Sequence, residues 1–357
     1  MSNPLTEPAY LDRFFPKDPE GYDLIAPAFY FGFYFPDGYR AAMRERATQV
    51  CDDYWRLCGK DLEWMITPVK CTWKKIPKDY DMHRWREDLA RETFAKFGPK
   101  PKRQKALTQR DSNRDAIEDN LPEHSSLQQW LSEFPDRDWV WQSIFHSGQS
   151  KDEAAQFQIL GHGDSTRTDG YSYLYLFVPI TWFAEHPGEN PIAVYLRWST
   201  LLQARHGTAG FGLVPPEDEA RKGEVQSIAR AFANQCPGIE LCDPIGQWGI
   251  ARGGTLAPNW LTMIDQQFVD QLGGRDAIQT NLTNTALNEP IGIHPYQGGL
   301  ILSAGKQPQL YENDELKRPP NAYQTVARAL QPIRSTEAWG FWGANVDDPL
   351  DWLARFD

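Results

Sequence analysis

The feature that most constrains the fold is the run Phe29-Tyr-Phe-Gly-Phe-Tyr-Phe35, where aromatic side chains occupy both odd and even positions. Successive side chains of a strand point to opposite faces of a sheet. Rings at every position except the glycine therefore predict a central strand that is buried on both faces. A chain of 357 residues that is 41% hydrophobic can supply a core around such a strand.

Further patterns predict an α+β fold, with mixed or antiparallel sheets covered by helices. The predicted helices are Tyr39–Gly59, Asp81–Phe97, Ser126–Phe134, Ile192–His206 and Val225–Cys236. The predicted strands are Trp64–Ile66, Val69–Trp73, Val140–His146, Gln156–Leu160, Tyr171–Val178 and Phe211–Val214. The order strand, helix, strand occurs near 29–73 and again near 171–214. This repetition raises the hypothesis of two related halves.

The stretch 255–334 predicts a helix, a hairpin and a second helix. Pro258 suits the first turn of a helix, and Trp260, Ile264 and Phe268 follow it at four-residue spacing. Gly273-Gly274 are typical of a helix end. The remaining predictions are a hairpin from Ile291–His294 and Leu300–Leu302, a helix after Pro319-Pro320 and a closing helix that begins near Pro349.

Charge is distributed unevenly along the chain. The segment 68–110 holds 13 Lys and Arg against 5 Asp and Glu, so it carries +8 and the other residues carry −19 of the total −11. An acidic surface repels nucleic acid and attracts basic proteins.

The polar segment 99–122 predicts a loop or boundary within 1–357, which we take as a single domain. Without a signal-peptide pattern or an apolar run of about 20 residues, we expect a cytoplasmic protein with no membrane contact.

The search for catalytic patterns finds no nucleophile and no phosphate loop. No serine stands in a G-x-S-x-G context, and Gly207–Gly212 lacks the Lys-Ser/Thr pair of a P-loop. One alternative is a metal-assisted enzyme built on His146, His162 and Asp164. Another is a module that binds a small molecule or nucleic acid without catalysis, for which six basic residues of 96–110 could contact phosphates.

Several motifs of the C-terminal third, taken in order, resemble the type VI secretion immunity family known as TsiV-like. The matching residues are Trp260-Leu-Thr262, Leu272-Gly-Gly274, Gly299–Gly305 with Pro308, Tyr323–Leu330 with Pro332 and Arg334, and Trp352–Asp357. One departure is that Gln309–Asp314 stands where the family pattern predicts a Gly-Asp pair.

The resemblance implies a cytosolic antidote that binds one antibacterial effector toxin, encoded by an adjacent gene, and blocks it. It implies no enzyme activity, cofactor or metal. Some members are similar to partners of nuclease effectors, so we expect a nuclease. Acidic side chains near turns are the candidate contacts with the basic site of such an enzyme. They are Asp164, Glu217, Asp218, Glu219, Glu312, Asp314, Glu315, Asp347 and Asp348.

Overall fold

A computed structural model gives the fold of residues 17, 19, 21, 23–97, 126–148, 153–164, 171–283, 290–311, 321–337 and 349–357. The described strands are β1 Ala26–Phe35, β2 Trp64–Ile66, β3 Trp73–Lys75, β4 Trp141–His146, β5 Gln158–Gly163, β6 Ser172–Pro179, β7 His206–Val214, β8 Glu240–Leu241, β9 Leu261–Asp265, β10 Ile291–Tyr296 and β11 Gly299–Ala304. The described helices are α1 Ala41–Cys58, α2 Met82–Phe97, α3 Leu127–Glu133, α4 Trp182–Glu185, α5 Pro191–Leu202, α6 Glu219–Gln235, α7 Pro244–Gly253, α8 Gln266–Gln271, α9 Arg275–Thr283, α10 Ala322–Leu330 and α11 Pro349–Leu353.

The strands form one open sheet in the order β10-β11-β9-β7-β1-β6-β5-β4-β2-β3, with the short β8 paired to β7. All neighbours on this path are antiparallel, and only the β7–β8 pair is parallel. The predicted α+β class, with an antiparallel sheet and covering helices, is confirmed. The loop predicted at 99–122 lies outside the described residues, and the assignment of 1–357 to one domain stays a prediction.

β1 is the central strand that the sequence predicts, and all ten of its residues are buried. Phe29, Phe31, Phe33 and Phe35 define the phenylalanine face of the sheet, which α1 and α5 cover. Phe31 meets the Trp198 ring of α5 edge-on at 4.9 Å between centroids. Burying each such ring contributes about 2–3 kcal/mol.

Tyr30, Gly32 and Tyr34 define the opposite, tyrosine face. The hydroxyl groups of the two tyrosines form hydrogen bonds there. Tyr30 donates a hydrogen bond to Thr208 Oγ1 at 2.8 Å, and Tyr34 donates one to Gln247 Oε1 of α7 at 3.1 Å. A buried hydroxyl without such a partner would cost free energy. The tyrosine face can therefore be polar and still lie inside the protein.

The helix predicted from Pro258 is wrong in its first half. Residues 261–265 form β9, which pairs with β7 and β11, and a helix begins only at Gln266. Four-residue spacing fits a helix, but Leu261–Ile264 is also a continuous, fully buried run, and sheet pairing on both sides favours the strand. The Asp265 carboxylate marks the real helix start, because it accepts a hydrogen bond from Phe268 N.

Several other boundaries differ from prediction. The expected strand at Val69–Trp73 is a turn up to Thr72, where Thr67 N donates to Thr72 O and Cys71 adopts a left-handed φ of 52°. The expected helix at Ile192–His206 ends at Leu202, because Gln203 is left-handed with a φ of 52°. The chain then enters β7, which is longer than the predicted strand at Phe211–Val214.

The two strand–helix–strand units occupy different positions in the sheet. β1 and β2 are separated by β6, β5 and β4, whereas β6 and β7 are separated only by β1. The topology therefore offers no support for a duplication, which stays a hypothesis.

Gly207 sits where β7 passes β1 too closely for a side chain. A Cβ there would lie 2.2 Å from the carbonyl oxygen of Gly32. We expect Gly207→Ala to lower the unfolding free energy by about 2–3 kcal/mol, because neither strand can retreat from the middle of the sheet. Gly223→Ala is the matched control, since nothing lies within 4 Å of its added Cβ. Within α6 this change should stabilise by about 0.5–1 kcal/mol, and urea unfolding of both variants measures the difference.

Candidate functional site

Asp164, the first of the predicted effector contacts, follows β5 and is 7% exposed. Its carboxylate lies 3.9 Å from His162 Nε2, and its backbone carbonyl accepts a hydrogen bond from Tyr39 N. The pKa of His162 is lowered by burial, and the Asp164 charge opposes that shift. Asp164 therefore joins β5 to the start of α1 and presents little surface to a partner.

Glu217 and Asp218 lie between β7 and α6, and both are half-buried. The Glu217 carboxylate accepts a short hydrogen bond from Gln158 Nε2 of β5. Asp218 Oδ1 accepts one from Arg221 N at 3.3 Å, so it caps the first turn of α6. Both carboxylates already stabilise the fold locally, and part of the Glu217 side chain is exposed.

These acidic residues do not converge on one point. Gln158 and His162 lie on the tyrosine face at opposite ends of β5, one beside Glu217 and the other beside Asp164. Six residues of strand separate Gln158 from Asp164, about 20 Å at 3.3 Å per residue. The structure describes only the backbone of Glu219. The remaining predicted contacts lie outside the described residues and stay predictions: Glu312, Asp314, Glu315, Asp347 and Asp348.

The alternative metal site does not assemble. His146 pairs with Gln158 across β4 and β5, whereas His162 pairs with Gln142, four residues further along β4. That offset places the two imidazoles about 13 Å apart, too far to share an ion. Within the described ranges, no group of three or more His, Cys, Asp or Glu side chains could hold a metal.

His146 is nevertheless unusual, because it is 1% exposed and its ring packs on Trp73 at 4.4 Å between centroids. Gly148 N donates to His146 Nδ1 at 2.9 Å, so the proton of the neutral ring is on Nε2. Burial lowers the pKa of His146 to about 4. Among the described residues Nε2 has no hydrogen-bond partner.

A small cavity lies beside Gln158, between β5 and the start of α6. Gln158, Glu217, Lys222 and Asp243 line it together with Pro215, Pro216 and five other side chains. Its volume of about 10 Å³ admits a single water molecule. The cavity therefore cannot hold a metabolite.

A larger groove of about 290 Å³ runs between α1, α2 and α3. Apolar residues such as Leu89 and Phe134 line it together with Arg44, Arg86 and Arg91. Arg44 donates to the carbonyl oxygens of Phe134 and Arg137 at 2.9 Å each, and burial lowers its pKa to about 10. Arg86 pairs with Glu45 and Asp52. These contacts fix the Arg44 and Arg86 side chains in the wall of the groove.

Sequence reasoning missed the most elaborate polar cluster, which lies on the tyrosine face. Glu240 is 2% exposed and accepts hydrogen bonds from Gln247 Nε2 at 3.1 Å, Trp352 Nε1 at 3.3 Å and Arg355 Nη2 at 2.8 Å. Gln247 in turn accepts from Tyr34 and Tyr175. The one signal in the sequence is a glutamate within the apolar run Ile239–Cys242. This cluster fastens the C-terminal motif to the sheet.

Among the five cysteines, Cys71 alone is exposed. Cys51, Cys58, Cys236 and Cys242 are buried, and burial raises the pKa of Cys58 to about 12 and also raises those of Cys51 and Cys242. A buried thiol with a raised pKa is inert. No helix in the described part of the chain is long and apolar enough to cross a membrane.

Known proteins share both the fold and the sequence pattern of this chain. The solved structure of the Pseudomonas aeruginosa T6SS protein PA0821 has a similar fold, with a TM-score of 0.68, 16% identity, and coverage of 96% of this chain and 85% of that chain. No matching relative was found among curated proteins. A family model described as type VI immunity for VRR-NUC matches residues 91–356. Since that match spans well over half of the chain, this protein belongs to the TsiV family of type VI immunity proteins.

Proposed function

We propose that this protein binds a VRR-NUC nuclease effector in the cytoplasm and inhibits it by covering its active or DNA-binding site. The observation that carries the proposal is the family match over 91–356. The protein would act as a stoichiometric inhibitor and not as an enzyme. Its partner would be the effector encoded by the adjacent gene.

The charge distribution supports this mode of inhibition. A nuclease binds a polyanion and therefore presents basic side chains around its site. This chain carries a net charge of −11 and a net of −19 outside 68–110. Opposite potentials steer the two proteins together and accelerate association. The exposed part of Glu217 and the acidic residues of 312–315 and 347–348 are the contacts we propose for the nuclease surface.

The scarcity of large hydrophobic residues on the described surface also supports a complex between two separately folded proteins. Among the described side chains, Leu127 is the one large hydrophobic residue that is exposed. A stable obligate dimer usually buries a contiguous apolar patch. A surface that is polar in this way suits a complex of two proteins that fold separately.

The proposal predicts complete inhibition at one equivalent of this protein per nuclease. Titrating it into the adjacent-gene effector while following cleavage of plasmid DNA measures the stoichiometry. The dissociation constant should rise with salt concentration, because screening weakens the attraction between the opposed surfaces. An unrelated nuclease without a VRR-NUC domain is the control and should keep its activity. Absence of a complex at low salt would exclude the proposed function.

A further inference from the structure

The groove between α1, α2 and α3 contains a buried positive charge that no described carboxylate contacts. Arg44 lines this groove and is 5% exposed. Among the described residues its hydrogen bonds all go to backbone carbonyl oxygens, which belong to Phe134, Pro135, Arg137 and Trp139. Arginine is almost never buried in this way unless it is paired with a negative charge.

Arg355 shows the more usual arrangement of a buried arginine. Its side chain is 6% exposed, and its Nη2 lies 2.8 Å from Glu240 Oε2. Asp138 and Glu45 act on Arg44 only from beyond ion-pair distance, and burial outweighs them, so the pKa of Arg44 falls to about 10. A negative charge inside the groove would therefore stabilise the Arg44 guanidinium.

One donor of Arg44 is also uncommitted. Nη2 contacts three carbonyl oxygens at the end of α3, and Nη1 makes one long contact of 3.5 Å to the Trp139 carbonyl. Nε–H has no hydrogen-bond partner in the described part of the chain. Because a guanidinium and a carboxylate are both charged, hydrogen bonds between them are short and strong. Arg44 can donate such a bond and keep its contacts to α3.

The other lining residues favour an apolar ligand with a single charge. Leu89, Leu131 and Phe134 line the groove, and its volume of about 290 Å³ is close to the lower end for small-molecule sites. Glu45 and Glu87 line it as well and would repel a second negative charge. This argues against a phosphate ester, which carries a charge of about −2 at neutral pH.

We propose that the groove binds a small apolar monocarboxylate, whose carboxylate contacts Arg44 and whose apolar part packs against Leu89, Leu131 and Phe134. The inference does not depend on the proposed function. The ligand completes the ion pair that the described residues leave unmade.

The test is calorimetric titration of the full chain with two acids, 3-phenylpropanoate and hexanoate. Their amides, 3-phenylpropanamide and hexanamide, have nearly the same shape without the charge. We expect dissociation constants of roughly 0.1–1 mM for the acids, as befits ligands of this size. The amides should bind at least about tenfold more weakly, because they lack the charge-assisted bond.

Three variants locate the site. Arg44→Met should weaken binding of the acids by at least about tenfold and leave binding of the amides unchanged, a difference that general loosening of the fold would not produce. Ala41→Trp places an indole in the groove from the start of α1 and should abolish binding of both acids. Arg56→Met is the matched control, since Arg56 lies on the same helix but is 75% exposed and outside the groove. It should leave every affinity unchanged.

The inference is overturned if the wild type binds neither acid, or if it binds acid and amide equally well. Undiminished binding of the acids by Ala41→Trp would place the ligand elsewhere and also overturn it. Thermal unfolding checks the fold of Arg44→Met. If that variant is unfolded, the acid–amide comparison on the wild type and the loss of binding in Ala41→Trp decide the matter.

Discussion

Replacing Arg355 with methionine is expected to lower the unfolding free energy by about 3–5 kcal/mol. Arg355 Nη2 lies 2.8 Å from Glu240 Oε2, and the two side chains are 6% and 3% exposed. Removing the guanidinium leaves the Glu240 carboxylate inside the protein without its counter-charge, and that desolvated charge is the source of the cost. Urea unfolding at neutral pH measures the change.

Two controls identify the buried charge as the cause. The double variant Glu240→Gln/Arg355→Met removes both charges and should recover part of the loss, because a neutral amide can keep the bond from Trp352. Arg91→Met breaks an ion pair with Glu87 in which both side chains are 51% exposed, and should cost less than about 1 kcal/mol. A wild-type unfolding midpoint for Arg355→Met would show that the cluster contributes nothing to stability.

Acid should destabilise the protein through two buried histidines, His146 and His206. Burial lowers the pKa of each to about 4, from an ordinary value of 6.5. Above pH 6.5 both are neutral whether the chain is folded or not, so they impose no penalty. Between pH 6.5 and about 4 both histidines are protonated in the unfolded chain but stay neutral in the folded protein. The loss should reach on the order of 3 kcal/mol for each histidine near pH 4.

Urea unfolding at a series of pH values tests this expectation. His206 Nε2 lies 2.7 Å from the carbonyl oxygen of Ala251, so it donates a hydrogen bond that glutamine can partly replace. His206→Gln should therefore be less stable than the wild type at pH 7 but lose less on acidification. The difference between the two curves isolates the histidine from the carboxylates that titrate in the same range. Parallel curves for the two proteins would contradict the assignment.

Local patterns predicted most elements because their signals lie within a few residues. The continuous run of rings in β1 and the four-residue spacing in α1 and α2 each suffice to identify an element. The helix predicted at Pro258 fails for a physical reason. Trp260–Ile264 fits either period, and the choice is made by β7 and β11, which lie far away in the sequence.

Tertiary contacts explain why the site could be predicted less well. Glu240 and Arg355 are 115 residues apart, and the sequence around each residue does not indicate that the two form an ion pair. Asp164 looks like a surface acid because it follows His162-Gly163, yet the start of α1 covers it. The charge of the whole chain could be read from sequence, whereas the packing of Trp64, Trp73 and His146 depends on the register of β2, β3 and β4.

The central position of β1 also sets the order in which the protein can be made. The hydrogen bond between Tyr34 and Tyr175 joins residues 141 apart, and β7 emerges later still. At ribosomal speed the aromatic strand waits on the order of ten seconds for its neighbours, during which it can aggregate or recruit a chaperone. Distant pairings of this kind also slow folding itself. A chain with this topology therefore needs more than half of its length synthesised before its central strand is paired on both edges.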